Sequence, residues 1–347
     1  MKHIKYISIV LLFIILACNK EENIIYINSD TITVKKPSVL LIIDENGIGD
    51  IFYYDRIFKA TIETCQKNNI VLYTDFLNEF NNAELNFEIL NNYTKYLLTK
   101  SSKLLVIIAN SKYENYLKKL DLSHKNDSVE YLFLESRTKI DKIHTLYLPM
   151  YGASYLSGKI SYLNFNNYAV VVMANEINNE LNDIYSGFYD GFTTNEMQAT
   201  CDKLVLSKDG SGFNMADSVY RLYFERIFNY YVCLPACGNT VQGILRGNRD
   251  YNLDVKIIGM DIDMTPYDKN IPFSIVKNVD LAIKDFINDW YSNKNLPQHL
   301  NLGLESGYVD VVWSKNGVVS EEIFNECITK YKEEAILKEN DYENCYK

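Results

Sequence analysis

Basic charge is scarce in this sequence: 35 Lys and Arg stand against 45 Asp and Glu, a net charge of -10. No stripe of Lys and Arg runs along it, which argues against a nucleic-acid partner. Histidine is scarcer still. The four (His3, His124, His144 and His299) are scattered, so no metal site is expected. A Ser/His/Asp arrangement and a phosphate loop ending in Gly-Lys-Ser/Thr are both missing, which argues against an enzyme, and no cofactor is expected. Solenoid-period repeats and low-complexity tracts are absent too. Beyond the first twenty residues, no run is long and apolar enough to cross a bilayer.

Those twenty read MKHIKYISIVLLFIILACNK. Lys2 and Lys5 form a basic start, and Ile7 to Leu16 is too short for an ordinary spanning helix but fits a secretory signal over residues 1–17. The run closes in Ile15-Leu16-Ala17-Cys18, which resembles the lipobox of bacterial lipoproteins. That resemblance implies cleavage before Cys18, lipidation of its thiol, and a chain held by acyl groups to a bacterial membrane, facing the periplasm or the cell surface. Losing two lysines and no acids takes the net charge from -10 to -12. Residues 18–36 read as a lipid tether. Six further cysteines follow: Cys65, Cys201, Cys233, Cys237, Cys327 and Cys345. In an exported chain some could pair, with a connectivity that sequence does not give. Cys233-Leu-Pro-Ala-Cys237 lacks CxxC spacing, and a structural role is expected for these thiols.

From Val39 a rhythm begins. Short apolar runs (Val39–Ile43, Ile70–Tyr73, Leu104–Ala109, Tyr131–Leu134, His144–Leu148, Tyr168–Met173, Leu204–Leu206, Tyr231–Leu234, Val255–Met260, Phe273–Val276) alternate with amphipathic stretches. Ile51, Tyr54, Phe58, Ile62 and Cys65 have the spacing of a helix stripe. The pattern predicts an α/β fold of parallel sheets covered on both faces, in two doubly wound lobes. Ligands of such sheets sit beyond the carboxyl ends of the strands. Asp44, Asn110, Glu135, the Pro235–Gly238 turn and Asp261 stand at such ends. One such carboxylate is an ordinary helix cap, whereas several polar or glycine-bearing strand ends together point to a binding cleft.

Seven stretches in order are similar to the basic membrane protein family of lipoproteins, which includes purine nucleoside receptors. They are DENGIGDIFYYD (44–55), GASYLSG (152–158), SGFYDGF (186–192), PACGNTVQG (235–243), IIGMDIDM (257–264), SIVKNVDLAI (274–283) and LGLESGYVDV (302–311). The resemblance implies a type I periplasmic-binding fold, with a hinge and an interlobe cleft, serving an ABC permease. It places residues 37–149 and 273–292 in lobe one, 150–271 and 300–314 in lobe two, and a C-terminal helix and tail in 315–347. It implies ligand contacts at Asp44, Tyr53 (stacking on a ring), Glu135, Gly238 (backbone approach), Asp261 (ribose hydroxyls) and Lys277, which neutralises and orients the carboxylates. Tyr54 stands where the family has Asn, and Leu234 stands where a second aromatic covers the base. Tyr54 is equally readable as a core residue of the helix.

The chain is thus expected to be a monomeric binding protein for a nucleoside-like solute. A surface antigen or adhesin of the same fold, or a binder of a sugar-like ligand, are the other readings. Protein recovered from membranes should begin at Cys18 and carry acyl mass by mass spectrometry. Cys18→Ser should lose membrane attachment, and a variant that stays bound at the wild-type level would contradict lipidation.

Overall fold

The protein is described by a computed structural model covering residues 25–27, 30–32, 34–44, 49, 52–77, 83–109, 117, 128–193, 199–315 and 318–346. The signal, Cys18, most of the Gly-rich turn and Asn110 lie outside these residues. Met1–Lys36 and Pro37–Lys347 form separate units. In the first, β1 (Ile25–Ile27) and β2 (Asp30–Ile32) pair as an antiparallel hairpin.

The second unit begins with β3 (Ser38–Asp44), α1 (Tyr53–Lys67), β4 (Val71–Leu77), α2 (Ala83–Lys100), β5 (Leu104–Ile108), β6 (Val129–Leu134) and β7 (His144–Tyr147). It continues with α3 (Tyr151–Asn164), β8 (Tyr168–Met173), α4 (Asn179–Thr193), β9 (Thr200–Val205), α5 (Ala216–Arg226), β10 (Val232–Ala236), α6 (Val241–Asp250) and β11 (Lys256–Ile257). The last elements are β12 (Phe273–Lys277), α7 (Val279–Tyr291), β13 (His299–Asn301), β14 (Val309–Trp313) and α8 (Glu321–Asn344). All ten apolar runs became strands. One parallel sheet has the order β13-β7-β6-β5-β3-β4, and a second has the order β11-β10-β8-β9.

Strand β3 shows why the runs are continuously apolar. Val39, Leu41 and Ile43 face a core shared with Ile57 and Ala60 of α1. Leu40 and Ile42 face the opposite core with Leu90 and Leu97 of α2. Each face has its own helix, so no position is left for a polar side chain. The stripe of α1 is shifted from the expected one. Its buried residues are Ile57, Ala60, Thr61, Thr64 and Cys65. Thr61 and Thr64 turn their hydroxyls back to the carbonyls of Ile57 and Ala60, both at 2.8 Å. Satisfied in this way, they pack as small residues.

β12 pairs antiparallel with β14 and bridges Gly259 beyond β11. α7, which follows β12, packs against α1, and β13 pairs with β7 in the six-stranded sheet. The chain therefore passes between the sheets after β7, after β12 and after β13. The cysteines after Cys18 are all free thiols.

Two of the glycine motifs serve packing. Gly158 of α3 and Gly187 and Gly191 of α4 face each other's helix backbones. A Cβ on any of them would fall well inside contact distance of a carbonyl, Phe188, Tyr151 and Tyr155 respectively. Gly191→Ala must push the two helices apart, and overpacking of this kind costs about 1–3 kcal/mol. Urea denaturation should show a lower midpoint with an unchanged slope. An unshifted midpoint would contradict the close approach.

Candidate functional site

Five side chains meet beyond the carboxyl ends of the strands. Glu135 directly follows β6 and Lys277 closes β12. Tyr53 opens α1, and Glu180 lies in the first turn of α4. Arg56 lies one turn further along α1. The end of β6 and the starts of α1 and α4 converge here because the strands of a parallel sheet run the same way, and β12, paired antiparallel with β14, brings Lys277 to them. Glu135 and Asp261 adopt left-handed backbone, with φ of 59° and 66°. That region is uncommon for residues with a Cβ and recurs at binding sites.

The Lys277 ammonium is the hub. Its Nζ lies 2.8 Å from Glu135 Oε1 and 2.5 Å from Glu180 Oε1. It also sits 5.0 Å from the centre of the Tyr53 ring. The Tyr53 hydroxyl donates to Glu135 Oε1 at 2.7 Å. Only 2% of the Lys277 side chain and 10% of the Glu135 side chain are exposed. Burial pulls the Lys277 pKa down, but Glu135 and Glu180 together more than offset it and hold the amine charged. Burial pushes the Glu135 carboxyl up against the pull of Lys277, and Glu180 adds to the rise. Burial, then Glu135, raises Tyr53 well above an ordinary phenol, so its hydroxyl stays a donor. Two carboxylates thus share one cation. Glu135 Oε2 is buried and accepts no hydrogen bond.

Asp261 meets Lys277 through the backbone: its carbonyl accepts from the Lys277 amide at 3.0 Å. Arg56 clamps the same corner. Its Nη1 donates to the carbonyls of Asp261 (2.9 Å) and Lys277 (2.8 Å), while Nη2 pairs with Asp280 and reaches Asn278 Oδ1 at 3.3 Å. Tyr54 packs edge-on against Tyr53, with ring centres 5.2 Å apart.

Gly238 has φ of 53°, and a Cβ there would come within 3.0 Å of the Phe213 ring. Leu234 lies in the interior of β10, paired with Val171 and fully buried in the core. Asp44 closes β3, and its side chain lies outside the described residues. Of the residues anticipated from sequence, Tyr53, Tyr54, Glu135, Lys277 and the Asp261 backbone come together. Sequence reasoning missed Glu180, Arg56 and Phe213. Glu180 could have been suspected from its place at a helix start after an apolar strand.

A family model described as ABC transporter substrate-binding protein PnrA-like matches residues 38–341. The chain belongs to that family. Its members are solute-binding proteins, so a small-molecule ligand and a permease partner come with membership. No curated protein sequence matches the chain. Among solved structures, a transcriptional activator of the comK gene from Bacillus halodurans is similar, with a TM-score of 0.67 and 16% identity over 85% of this chain and 97% of that one. An ABC transporter solute-binding protein from Aeropyrum pernix K1 gives 0.64 and 14% over 89% and 90%. A periplasmic solute-binding protein from Actinobacillus succinogenes 130z with bound D-allose gives 0.61 and 15% over 84% and 100%. At these identities the likeness shows the fold, that of type I periplasmic-binding proteins, as the first expectation had it.

Removing the hub should expose the charge imbalance. Lys277→Met leaves Glu135 and Glu180 without their cation, which costs about 3–5 kcal/mol when a buried pair is broken. Without Lys277 to pull it down, the Glu135 carboxyl rises further in the folded state. Its contribution to stability is kept at low pH and lost as pH rises, so the loss in urea should be larger at pH 8 than at pH 5. Equal losses at both pH values would contradict the shared-cation arrangement.

Proposed function

We propose that this protein is a lipid-anchored receptor that captures a purine-nucleoside-like solute between two lobes and presents it to an ABC permease. The lobes are built on the two parallel sheets, the cleft lies beyond their strand ends, and the chain acts as a monomer. One observation carries the ligand assignment: Glu135 leaves Oε2 buried and unpartnered while Oε1 accepts from the Tyr53 hydroxyl. A buried carboxylate oxygen without a donor is costly, and a ligand that brings both a flat face and a polar edge supplies the missing partner. Asp261 takes the hydroxyls of a ribose-like diol, which suit a carboxylate. Gly238 permits close approach of backbone, with Phe213 beside it as an aromatic wall where Leu234 offers none.

If only the ring face of Tyr53 mattered, Tyr53→Phe would be nearly neutral. With the hydroxyl bonded to Glu135, the substitution removes a donor from a buried carboxylate and should weaken binding measurably. A sugar-like ligand is the second reading, favoured by the D-allose bound in the Actinobacillus protein.

Calorimetry and thermal shift with guanosine, adenosine, inosine, D-ribose and D-allose decide between the two. A nucleoside should bind and raise the melting temperature by mass action. Asp261→Ala should then weaken binding at least about tenfold, since charge-assisted hydrogen bonds contribute about 1.5–3 kcal/mol each. Binding of a sugar alone transfers the assignment to the second reading. Binding of none of them, or an Asp261→Ala variant that binds as well as the parent, defeats the nucleoside assignment and favours a surface-antigen role.

A further inference from the structure

The C-terminal helix α8 buries Ala335, Glu339 and Glu343 in one stripe. Two carboxylates are unexpected on the apolar side of a helix. Glu339 is 5% exposed and has two backbone partners, one for each oxygen. The Gly152 amide donates to Oε2 at 2.8 Å, and the Leu304 amide donates to Oε1 at 3.0 Å.

These amides belong to two of the three segments that pass between the sheets. Gly152 lies in the first turn of α3, just after the passage from β7. That helix start has no acidic residue and no side-chain cap of its own, so Glu339 supplies the missing acceptor and the favourable charge. Leu304 lies between β13 and β14, in the third passage. Both passages carry a glycine where the carboxylate rests. A Cβ on Gly152 would stand 2.7 Å from Glu339 Oε2, and one on Gly303 would overlap Oε1. Those glycines belong to the GASYLSG and LGLESGYVDV stretches, which the ligand site does not use. The second passage, after β12, is tied to the third, because the Asn278 amide donates to the Tyr308 carbonyl at 2.7 Å.

The end of α8 is itself anchored toward both sheets. Arg137, in the segment after β6, pairs with Asp183 of α4 and lies 3.4 Å from Glu343. Tyr342 donates to Asp183 Oδ1 at 3.0 Å, and the Tyr346 ring covers the guanidinium at 4.2 Å.

We propose that α8 is a hinge brace: by holding the Gly152 and Leu304 amides on one carboxylate, Glu339 makes the three inter-sheet passages move as a unit and limits how far the sheets can part. This rests on the two-lobe reading of the cleft, but not on which ligand fills it. Glu339 is also the group through which pH reaches the brace. Burial, against the two backbone donors, pushes its carboxyl up to about 7, and Glu343 of the same helix and Glu305 of the third passage add to the rise. With the folded value above the unfolded one, its contribution to global stability is fully present at low pH and is lost as pH rises through about 7. The brace runs the other way. A proton on one oxygen leaves one of the two amides without an acceptor, so the passages loosen as pH falls through the same range.

Amide hydrogen exchange on the ligand-free full chain tests this, since local opening is what it reads. In Glu339→Gln the side-chain amide offers one oxygen and one donor, so one backbone amide loses its partner. Exchange at Gly152 or Leu304 should accelerate at least about tenfold, and exchange at Asn278, which Glu339 does not touch, should accelerate with it. In the wild type, after correction for intrinsic rates, the same amides should be better protected at pH 8 than at pH 5.5. If Glu339→Gln does not fold, the wild-type pH comparison decides alone. Unchanged exchange at Asn278 with faster exchange at Gly152 or Leu304 would make Glu339 a local cap and overturn the brace. Unchanged exchange at all three would overturn it as well. Neither result depends on the nucleoside panel, which can fail while the brace stands.

Discussion

The buried Lys277 ammonium holds its charge because two carboxylates, Glu135 and Glu180, face it. An isolated buried charge is expensive, and the arrangement holds only while attraction across the site offsets lost hydration. Everything around the strand ends is arranged to that condition. β12 delivers the amine, α4 brings Glu180 and the end of β6 brings Glu135. Tyr53 contributes both a ring for the cation and a hydroxyl for the carboxylate. The constraint leaves a remainder, because one cation cannot balance two anions and Glu135 Oε2 has no partner. A site that is incomplete by one donor is suited to receiving a molecule that supplies it.

The same parallel architecture explains why site and scaffold are separable. Helices cover both faces of each sheet, so stability resides in apolar runs such as Val39–Ile43 and in the glycine seam between α3 and α4. Strand ends are spared that duty and can carry polar groups. Arg56 joins the two roles. It rises from a core-packed helix and spends its guanidinium on the carbonyls of Asp261 and Lys277 and on Asp280. It thereby fixes the corner from which both residues project.

Much of the fold was legible because burial on two faces writes itself as unbroken apolar runs. Polar edge elements were harder. β9 is an edge strand with exposed Asp202 and Lys203, and only its end was anticipated. β13 is three residues of mixed polarity, and its pairing with β7 had no signal in the local sequence. Of the side chains that meet at the strand ends, Tyr53, Glu135 and Lys277 were named from motif and strand-end position. Leu234, at the position where the family has a second aromatic, lies in the interior of β10 and is fully buried.

Local pattern alone thus determined the alternation of strands and helices, the acidic balance and the family, since each depends on neighbours within a few residues or on motif order. Tertiary structure decided the partners. Glu180 lies 97 residues from Lys277, and Glu339 lies 187 from Gly152. No periodicity links positions so far apart. Each pair exists because a buried charge accepts only the partner that the folded backbone brings within hydrogen-bond reach.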